Sequence, residues 1–360
     1  MHIVPSLSAG GAERLVFELV RLLPREGFSA FAVANLSSGP LKELFDTHDV
    51  PVRVLQHRKM FGAGSIPELM QIMKEEKPDI VHTHLFGADS WGRIAAMLSH
   101  GPKIVTTMHN VTNDYGVIRR GVHTLLSLPT SRVIAVSDIV REYLIQHDHI
   151  SPSKITVVRN GIDLSRVISR PSRPFADIPK LIIVGRLMAQ KGHATLFKAL
   201  ALVKRPWTLE VVGVGPLEND LRALAERLEI APRIHWLGYR DDVPKLLSNA
   251  DIFCFPSLWE GLGLAFLEAI AAGVPTVATS LPVLEEVMLP QKGVFVPSGD
   301  VPGFAHAIDG MLQDPVLAVQ RAQAAAAEVR ARFSIQRMVS EYAAVYRSLH
   351  TTSHEDSSRQ

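Results

Sequence analysis

Glu260 and Glu268 stand at the two ends of the run EGLGLAFLE, which follows the apolar stretch DIFCFPS. That order predicts a buried strand, a glycine-containing turn and the start of a helix. The first amides of a helix have no intrahelical acceptor and carry the positive end of its dipole. The N–H groups of Gly261, Leu262, Gly263 and Leu264 are therefore expected to hold a phosphate, and the two glycines let it approach closely. Carboxylates do not bind phosphate; they accept from hydroxyls. Glu260 lies before the turn and Glu268 is expected about two turns into the helix, on hydroxyls to either side. A phosphate joined to sugars on each side describes a nucleotide-sugar.

A second group of residues suits the same ligand. LIIVGRLMAQKG places Arg186 just after a strand pattern and Lys191 before a helix that starts near His193. A guanidinium fork can clamp a diphosphate, and an ammonium can neutralise charge developing on a departing phosphate. Two loop cations alone are more commonly just solvated. Position separates these two, because they follow the strand next in line to the one that feeds Glu260, and GVGP adds a glycine turn at Gly213 on a third strand end. In the first half, SAGGAE sets Gly10 and Gly11 at another helix start, although the spaced three-glycine dinucleotide fingerprint is missing. DIVHTH ends a strand with His82 and His84, and IVTTMHN ends the next with His109 and Asn110. Residues two apart on a strand share a face. A metal held by His82, His84 and His109 would need a carboxylate or cysteine at ligand spacing, and none is present, so no metal is expected. His109 is expected to face the phosphate cradle.

These residues need elements that deliver strand ends to one place. Short apolar runs alternate with longer amphipathic ones, the pattern of a parallel sheet wrapped by helices, and the pattern occurs twice. Strands are predicted at HIVPS, FAVANL, VRVLQ, DIVHTH, KIVTTMH, RVIAVS and ITVVRNG, then at KLIIVGR, TLEVVGVG, RIHWLG, DIFCFPS, PTVATS and GVFVPS. Helices fall between them, as at Ala12 to Leu23 and Ile66 to Glu76. Asp241 and Asp242, before Val243 and Pro244, read as a helix N-cap rather than a metal pair. The proline-rich stretch up to Pro179 has no apolar period and reads as a linker. The expected organisation is an N-terminal doubly wound domain over 1–165, a linker over 166–179 and a second doubly wound domain over 180–330. A C-terminal helix over 331–349 and a disordered tail over 350–360 complete it. The two domains are expected to face each other across a cleft, with ligands at the carboxyl ends of the strands.

Composition fits a soluble enzyme. The 360 residues are 47% hydrophobic and 21% charged, with a net charge of +2 that gives no drive toward nucleic acid. One cysteine, Cys254, excludes an intrachain disulfide, and its setting in IFCF makes it a packing residue. The first residues lack the basic and apolar regions of a signal peptide, so a cytoplasmic location is expected. No run of about 18 uninterrupted apolar residues occurs, so any membrane contact would be peripheral. HRKMF (Arg58, Lys59, Met60, Phe61) and GVIRRGVHTLL (Arg119, Arg120, Val122, Leu125, Leu126) mix basic and apolar residues. They read first as ordinary surface helices, with contact to anionic lipid as the second reading.

GGAE near the start, the histidine after the fifth strand, NGID at Asn160 to Asp163, GRLMAQKG, VVGVGP and EGLGLAFLEAIAAG together resemble glycosyltransferase family 4. The resemblance runs from Met1 to about Leu349 and implies a GT-B fold, with the C-terminal helix crossing back to the N-terminal domain. It implies a retaining, metal-independent transferase that uses no cofactor beyond its nucleotide-sugar donor, most commonly a UDP-sugar. By the same resemblance Arg186 and Lys191 grip the donor diphosphate, Glu268 the ribose and Glu260 hydroxyls of the transferred sugar. His109 lies against that sugar, and Gly11 brings backbone near the donor phosphate; the Gly213 turn is read from its strand end as part of the same anion site. The acceptor is expected to be a saccharide or a polyprenyl- or lipid-linked glycan, in the synthesis of cell-surface polysaccharide or glycolipid. Where many members have a glycine pair after PTVATS, this chain reads LPVLEEV, which bears on base or sugar preference. A UDP-sugar 2-epimerase of the same fold and a non-catalytic sugar-binding protein are the rival readings; the first needs no acceptor, the second no cations poised at a leaving group.

Overall fold

The computed structural model describes residues 1–8, 10–36, 39–55, 63–110 and 117–356. The HRKMF stretch lies outside the described residues. The first half contains β1 (His2–Ser6), α1 (Gly11–Leu22), β2 (Ala32–Leu36), α2 (Pro40–Thr47), β3 (Val52–Val54), α3 (Ile66–Glu76), β4 (Ile80–His84), α4 (Phe86–Leu98), β5 (Lys103–Met108), α5 (Val117–Ser127), β6 (Arg132–Ala135), α6 (Asp138–Gln146) and β7 (Ile155–Val157). The second half contains β8 (Lys180–Val184), α7 (His193–Leu200), β9 (Thr208–Val212), α8 (Glu218–Arg227), β10 (Ile234–Gly238), α9 (Val243–Asn249), β11 (Ile252–Phe255), α10 (Leu264–Ala271), β12 (Thr276–Thr279), α11 (Pro282–Glu285), β13 (Val294–Val296), α12 (Val301–Gln313), α13 (Pro315–Arg332) and α14 (Ile335–Asp356).

All strand pairs are parallel, and each predicted strand is present, one or two residues shorter than its apolar run in most cases. The sheets run β3-β2-β1-β4-β5-β6-β7 and β10-β9-β8-β11-β12-β13. Each order reverses beside its first strand, between β1 and β4 and between β8 and β11, and a doubly wound sheet opens its ligand crevice at such a reversal. Strands read as continuous apolar runs because helices cover both faces. Thus β11 is buried at every position, and Cys254 within it has its thiol pushed up by burial, which leaves it unreactive.

The chain divides into two compact units, 1–161 with 335–360, and 162–334. In the first unit, α14 lays Met338, Tyr342, Val345, Tyr346 and Leu349 on Leu15 and Leu19 of α1 and on Val105 and Ile134 of the sheet. The C-terminal helix therefore belongs to the N-terminal unit. It continues to Asp356, past the predicted end at Leu349 and into the segment expected to be a disordered tail. HTTSHED contains no glycine or proline to stop it, so low hydrophobicity alone was a poor stop signal. In the second unit, Trp207, Phe197, Leu209, Phe304 and Ile308 form the centre of the core.

Residues 166–179 are fastened to the second unit rather than hanging free as a linker. Asp251, fully buried, accepts from Arg170 at 3.1 Å, Arg173 at 2.6 Å and the Lys180 amide at 3.0 Å. Arg170 also donates to the Ala250 carbonyl. Prolines hold the chain extended while the arginines anchor it. At α9, Asp242 takes the N-cap position with Pro244 in the first turn, but its side chain makes no cap bond. It binds the Arg240 guanidinium instead, through two contacts of 2.7 Å.

Candidate active site

In the second unit three strand-end loops are tied together through their backbones. The Leu187 amide donates to the Val214 carbonyl and the Leu217 amide to the Leu187 carbonyl, which joins the β8 and β9 loops. The Leu258 amide donates to the Gln190 carbonyl, and Gln190 Nε2 to the Trp259 carbonyl at 2.9 Å, which joins the β8 and β11 loops. Packing this close admits no side chain at two glycines. A Cβ on Gly213, where φ is +134°, would sit 2.1 Å from the Gly185 carbonyl oxygen. One on Gly192, where φ is +66°, would sit 2.0 Å from the Pro256 carbonyl oxygen.

The ties bring Lys191 to Glu260, with Nζ 2.5 Å from Oε1 and side chains 19% and 6% exposed. Lys191 also lies over the Phe255 ring, 5.5 Å from its centroid. Arg186 is exposed on the same loop. Gly263, with φ at +74°, turns the chain into α10, and no acceptor for the amides of Gly261, Leu262, Gly263 or Leu264 occurs among the described residues. The free amides, the ammonium and the guanidinium thus lie on adjoining loops at the β8–β11 reversal, an arrangement that can neutralise a diphosphate. Glu268 is half-buried one turn into α10, not two, since the helix begins at Leu264 and the residues before it form the turn.

Several buried polar groups around these loops escaped the sequence reading. His193 opens α7, is 2% exposed, and has neither ring nitrogen paired. Burial, and then Lys191 nearby, push its pKa down to about 4. The hydroxyls of Ser257 and Thr279, just after β11 and at the end of β12, are likewise buried and unpaired. Their signal was present, since each ends or follows a strand, but their burial was not.

In the first unit, the SAGGAE turn is closed by its own side chains. Ser8 donates to Glu13 Oε1 at 3.0 Å, and a Cβ on Gly10 would lie 2.0 Å from Glu13 Oε2. Gly11 is exposed at the first position of α1. His109 follows β5 and is partly buried; desolvation pushes its pKa down to about 4. Its Nε2 lies 3.1 Å from His84 Nδ1, and His84 Nε2 lies 3.1 Å from Nδ1 of His2, a residue sequence reasoning passed over as mere strand. His82 is bound at both nitrogens, by the Tyr346 hydroxyl at 2.6 Å and the Thr107 hydroxyl at 2.7 Å. His2, His82 and His84 each place a nitrogen within 4.8 Å of the others. A metal there would have to break the hydrogen bonds that already occupy both nitrogens of His82 and of His84. Asn160 of the NGID stretch is buried with Oδ1 unpaired, while the Asp163 carboxylate accepts from the amide and hydroxyl of Ser165.

Residues 9–166 match Glycosyltransferase Family 4, and residues 166–329 match Glycosyl transferases group 1. A glycogen synthase of Mycobacterium tuberculosis is 30% identical over 306 residues, covering 80% of this chain and 73% of that protein. The chain belongs to glycosyltransferase family 4. It is an enzyme, a glycosyltransferase of the GT-B fold. The UDP-Gal:alpha-D-GlcNAc-diphosphoundecaprenol alpha-1,3-galactosyltransferase of Escherichia coli is 28% identical over 345 residues, 88% of each chain. HepE of Anabaena, crystallised with UDP and glucose, superposes with a TM-score of 0.84 at 23% identity, over 96% of this chain and 98% of that one. With family membership the strand-end loops of this transferase acquire a context, and GRLMAQKG and EGLGLAFLEAIAAG prove to be the two loops joined by the Lys191–Glu260 ion pair.

Proposed function

We propose that this family 4 transferase moves a sugar, with retention at the anomeric carbon, from a UDP-sugar to a hydroxyl of a lipid-linked glycan in cell-surface glycan synthesis. The observation that carries the donor reading is the set of unpaired amides at Gly261 to Leu264 beside Lys191, Glu260 and Arg186. In this reading the amides, Arg186 and Lys191 hold the diphosphate, with backbone at Gly213 and Gly11 close to the phosphates. Glu268 accepts from the ribose hydroxyls. Glu260 accepts from the transferred sugar, and His109 contacts that sugar near the reacting carbon. The bond from the anomeric carbon to the diphosphate oxygen breaks while the acceptor oxygen bonds to the same face, and the leaving phosphate oxygen takes the acceptor proton. Lys191 and the α10 amides stabilise the charge left on the diphosphate, with no metal required.

The galactosyltransferase relative carries a diphosphoundecaprenol acceptor in its name, which supports a lipid-linked acceptor. So does the surface of the first unit. Among the described residues no helix is long and apolar enough to cross a membrane. Yet Leu125 and Leu128 at the end of α5 are 66% and 70% exposed, and Met97 and Leu98 of the neighbouring α4 are exposed too. Leu126, which the sequence sets beside Leu125, is buried with His123, whose Nδ1 lies 3.0 Å from Asp148. Met97, Leu98, Leu125 and Leu128, with the partly buried Arg120 near them, form a surface suited to peripheral contact with an anionic membrane at its cytoplasmic side.

The test is a donor panel. UDP-, GDP- and ADP-sugars are compared by thermal shift in EDTA, and the product's anomeric configuration is read by NMR. Stabilisation by the UDP series and a retained anomer are expected. An inverted product, or turnover that requires added metal, overturns the proposed chemistry.

A further inference from the structure

Parallel strands in register carry side chains from strand to strand across one face. The β1–β4 register sets His2 opposite His82, and the β4–β5 register sets His84 opposite Thr107, with His109 two residues beyond. All of these point to the face covered by α14, whose Tyr342 and Tyr346 reach Thr107 and His82. Three of the imidazoles form a line: His2 Nδ1 to His84 Nε2 is 3.1 Å, and His84 Nδ1 to His109 Nε2 is 3.1 Å.

A neutral imidazole has one N–H. His84 can donate to one neighbour only, so both contacts must run in the same sense. Either every ring is protonated on Nδ1 and the chain points outward to His109, or every ring is protonated on Nε2 and it points inward to His2. The inner end decides. Among the described residues His2 Nε2 meets no hydrogen-bond acceptor, and His82 beside it already has both nitrogens occupied. The inward sense would leave an N–H without a protein acceptor on His2, which is 2% exposed, whereas the outward sense puts the unpaired N–H on His109, the more exposed end of the line, where water can accept it. At the inner end the outward sense leaves a lone pair rather than an N–H, and an N–H without an acceptor costs more the less water can reach it.

We propose that His84, backed by His2, is a positioning residue that holds His109 as its Nδ1–H tautomer, so that the outer edge of His109 is a hydrogen-bond donor and not a base. The consequence for the reaction rests on the role given to His109 above: it donates to a sugar oxygen and leaves the acceptor proton to the departing phosphate. Free imidazole side chains favour the Nε2–H form, so the line of histidines reverses an intrinsic preference.

Long-range 1H–15N spectra of the 15N-histidine-labelled protein, recorded with no substrate present, read the tautomer directly. His109 is assigned by its loss in His109→Phe. In the unsubstituted protein we expect His109 protonated on Nδ1, and a through-hydrogen-bond coupling between His84 Nδ1 and His109 Nε2. In His84→Asn, whose amide nitrogen takes the place of Nδ1, the tautomer should persist. In His84→Phe it should revert toward Nε2–H, with kcat lowered about 10-fold and the donor KM unchanged. Protonation of His109 on Nε2, or no change of tautomer in a folded His84→Phe, overturns the proposal. The spectra of the unsubstituted protein decide the question even if the phenylalanine variant does not fold. They are independent of turnover, so an inactive donor panel would sink the functional reading and leave the tautomer result standing.

Discussion

Lys191 and Glu260 hold each other in a setting that exposes little of either. Removing one partner of such a pair strands the other, whereas removing both charges does not. Lys191→Met is expected to lower the melting temperature, and Lys191→Met/Glu260→Gln to recover it. Neither should recover turnover, which falls about 100-fold when one stabilising donor is lost from a site of developing charge. A double variant with restored kcat would remove both residues from the chemistry. Glu268→Ala is expected to abolish stabilisation by UDP-sugars, read as the shift on adding donor to each variant in the same thermal-shift panel. The loops that carry Arg186, Lys191, Glu260 and His109 were legible in the sequence because each follows a recognisable strand pattern. His193, Ser257 and Thr279 were not, since what distinguishes them is burial without a partner, and no local pattern reports that.

Elements add constraints that their own sequences only half state. The period of Met338, Tyr342, Val345 and Tyr346 marks α14 as a packing helix. Its polar contacts show what it packs on, for the Tyr346 hydroxyl occupies His82 Nδ1 at 2.6 Å inside the sheet face. Tyr346→Phe leaves that nitrogen buried and unpaired, and should destabilise the protein by about 1–3 kcal/mol in urea unfolding. A loss near zero would mean that the imidazole finds another partner. On the opposite side of the same question, α5 hides Leu126 and His123 and exposes Leu125, with Leu128 exposed in the turn just after it. Leu125→Glu/Leu128→Glu should keep the fold, since neither side chain is packed, and should abolish co-sedimentation with anionic vesicles. Vesicle binding that survives the double substitution would rule out this end of α5 as the contact. The sequence showed a basic and apolar mixture there without saying which leucine faces inward, because adjacent leucines leave the phase of a short helix ambiguous.

At the scale of the whole chain, five histidines held neutral by burial couple folding to pH. His109 and His193 are pushed down to about 4, and His2, His82 and His84 lie well below the usual imidazole range, burial being the largest cause in each. In the unfolded chain the same groups titrate near 6.5. Between those values the unfolded state binds more protons, so stability rises with pH across the window and levels off above it. Acidification from pH 7 to 4.5 should therefore lower the melting temperature progressively. Each imidazole held neutral contributes a slope of up to about 1.4 kcal/mol per pH unit. A melting temperature that is flat between pH 6.5 and 4.5 would show that these rings are protonated in the folded protein.

The sequence by itself determined the two parallel sheets, every strand in them, the family, and the loops that carry Arg186, Lys191 and Glu260, because those features rest on local periodicity and on residues at strand ends. Only the tertiary structure decided which loops are tied together, that Asp251 anchors residues 166–179, and that His2, His84 and His109 form one hydrogen-bonded line. Register between strands distant in sequence places those groups within 3.1 Å of one another, and burial then fixes their charge and the sense of their hydrogen bonds. Both are properties of neighbours in space, which a linear pattern does not contain.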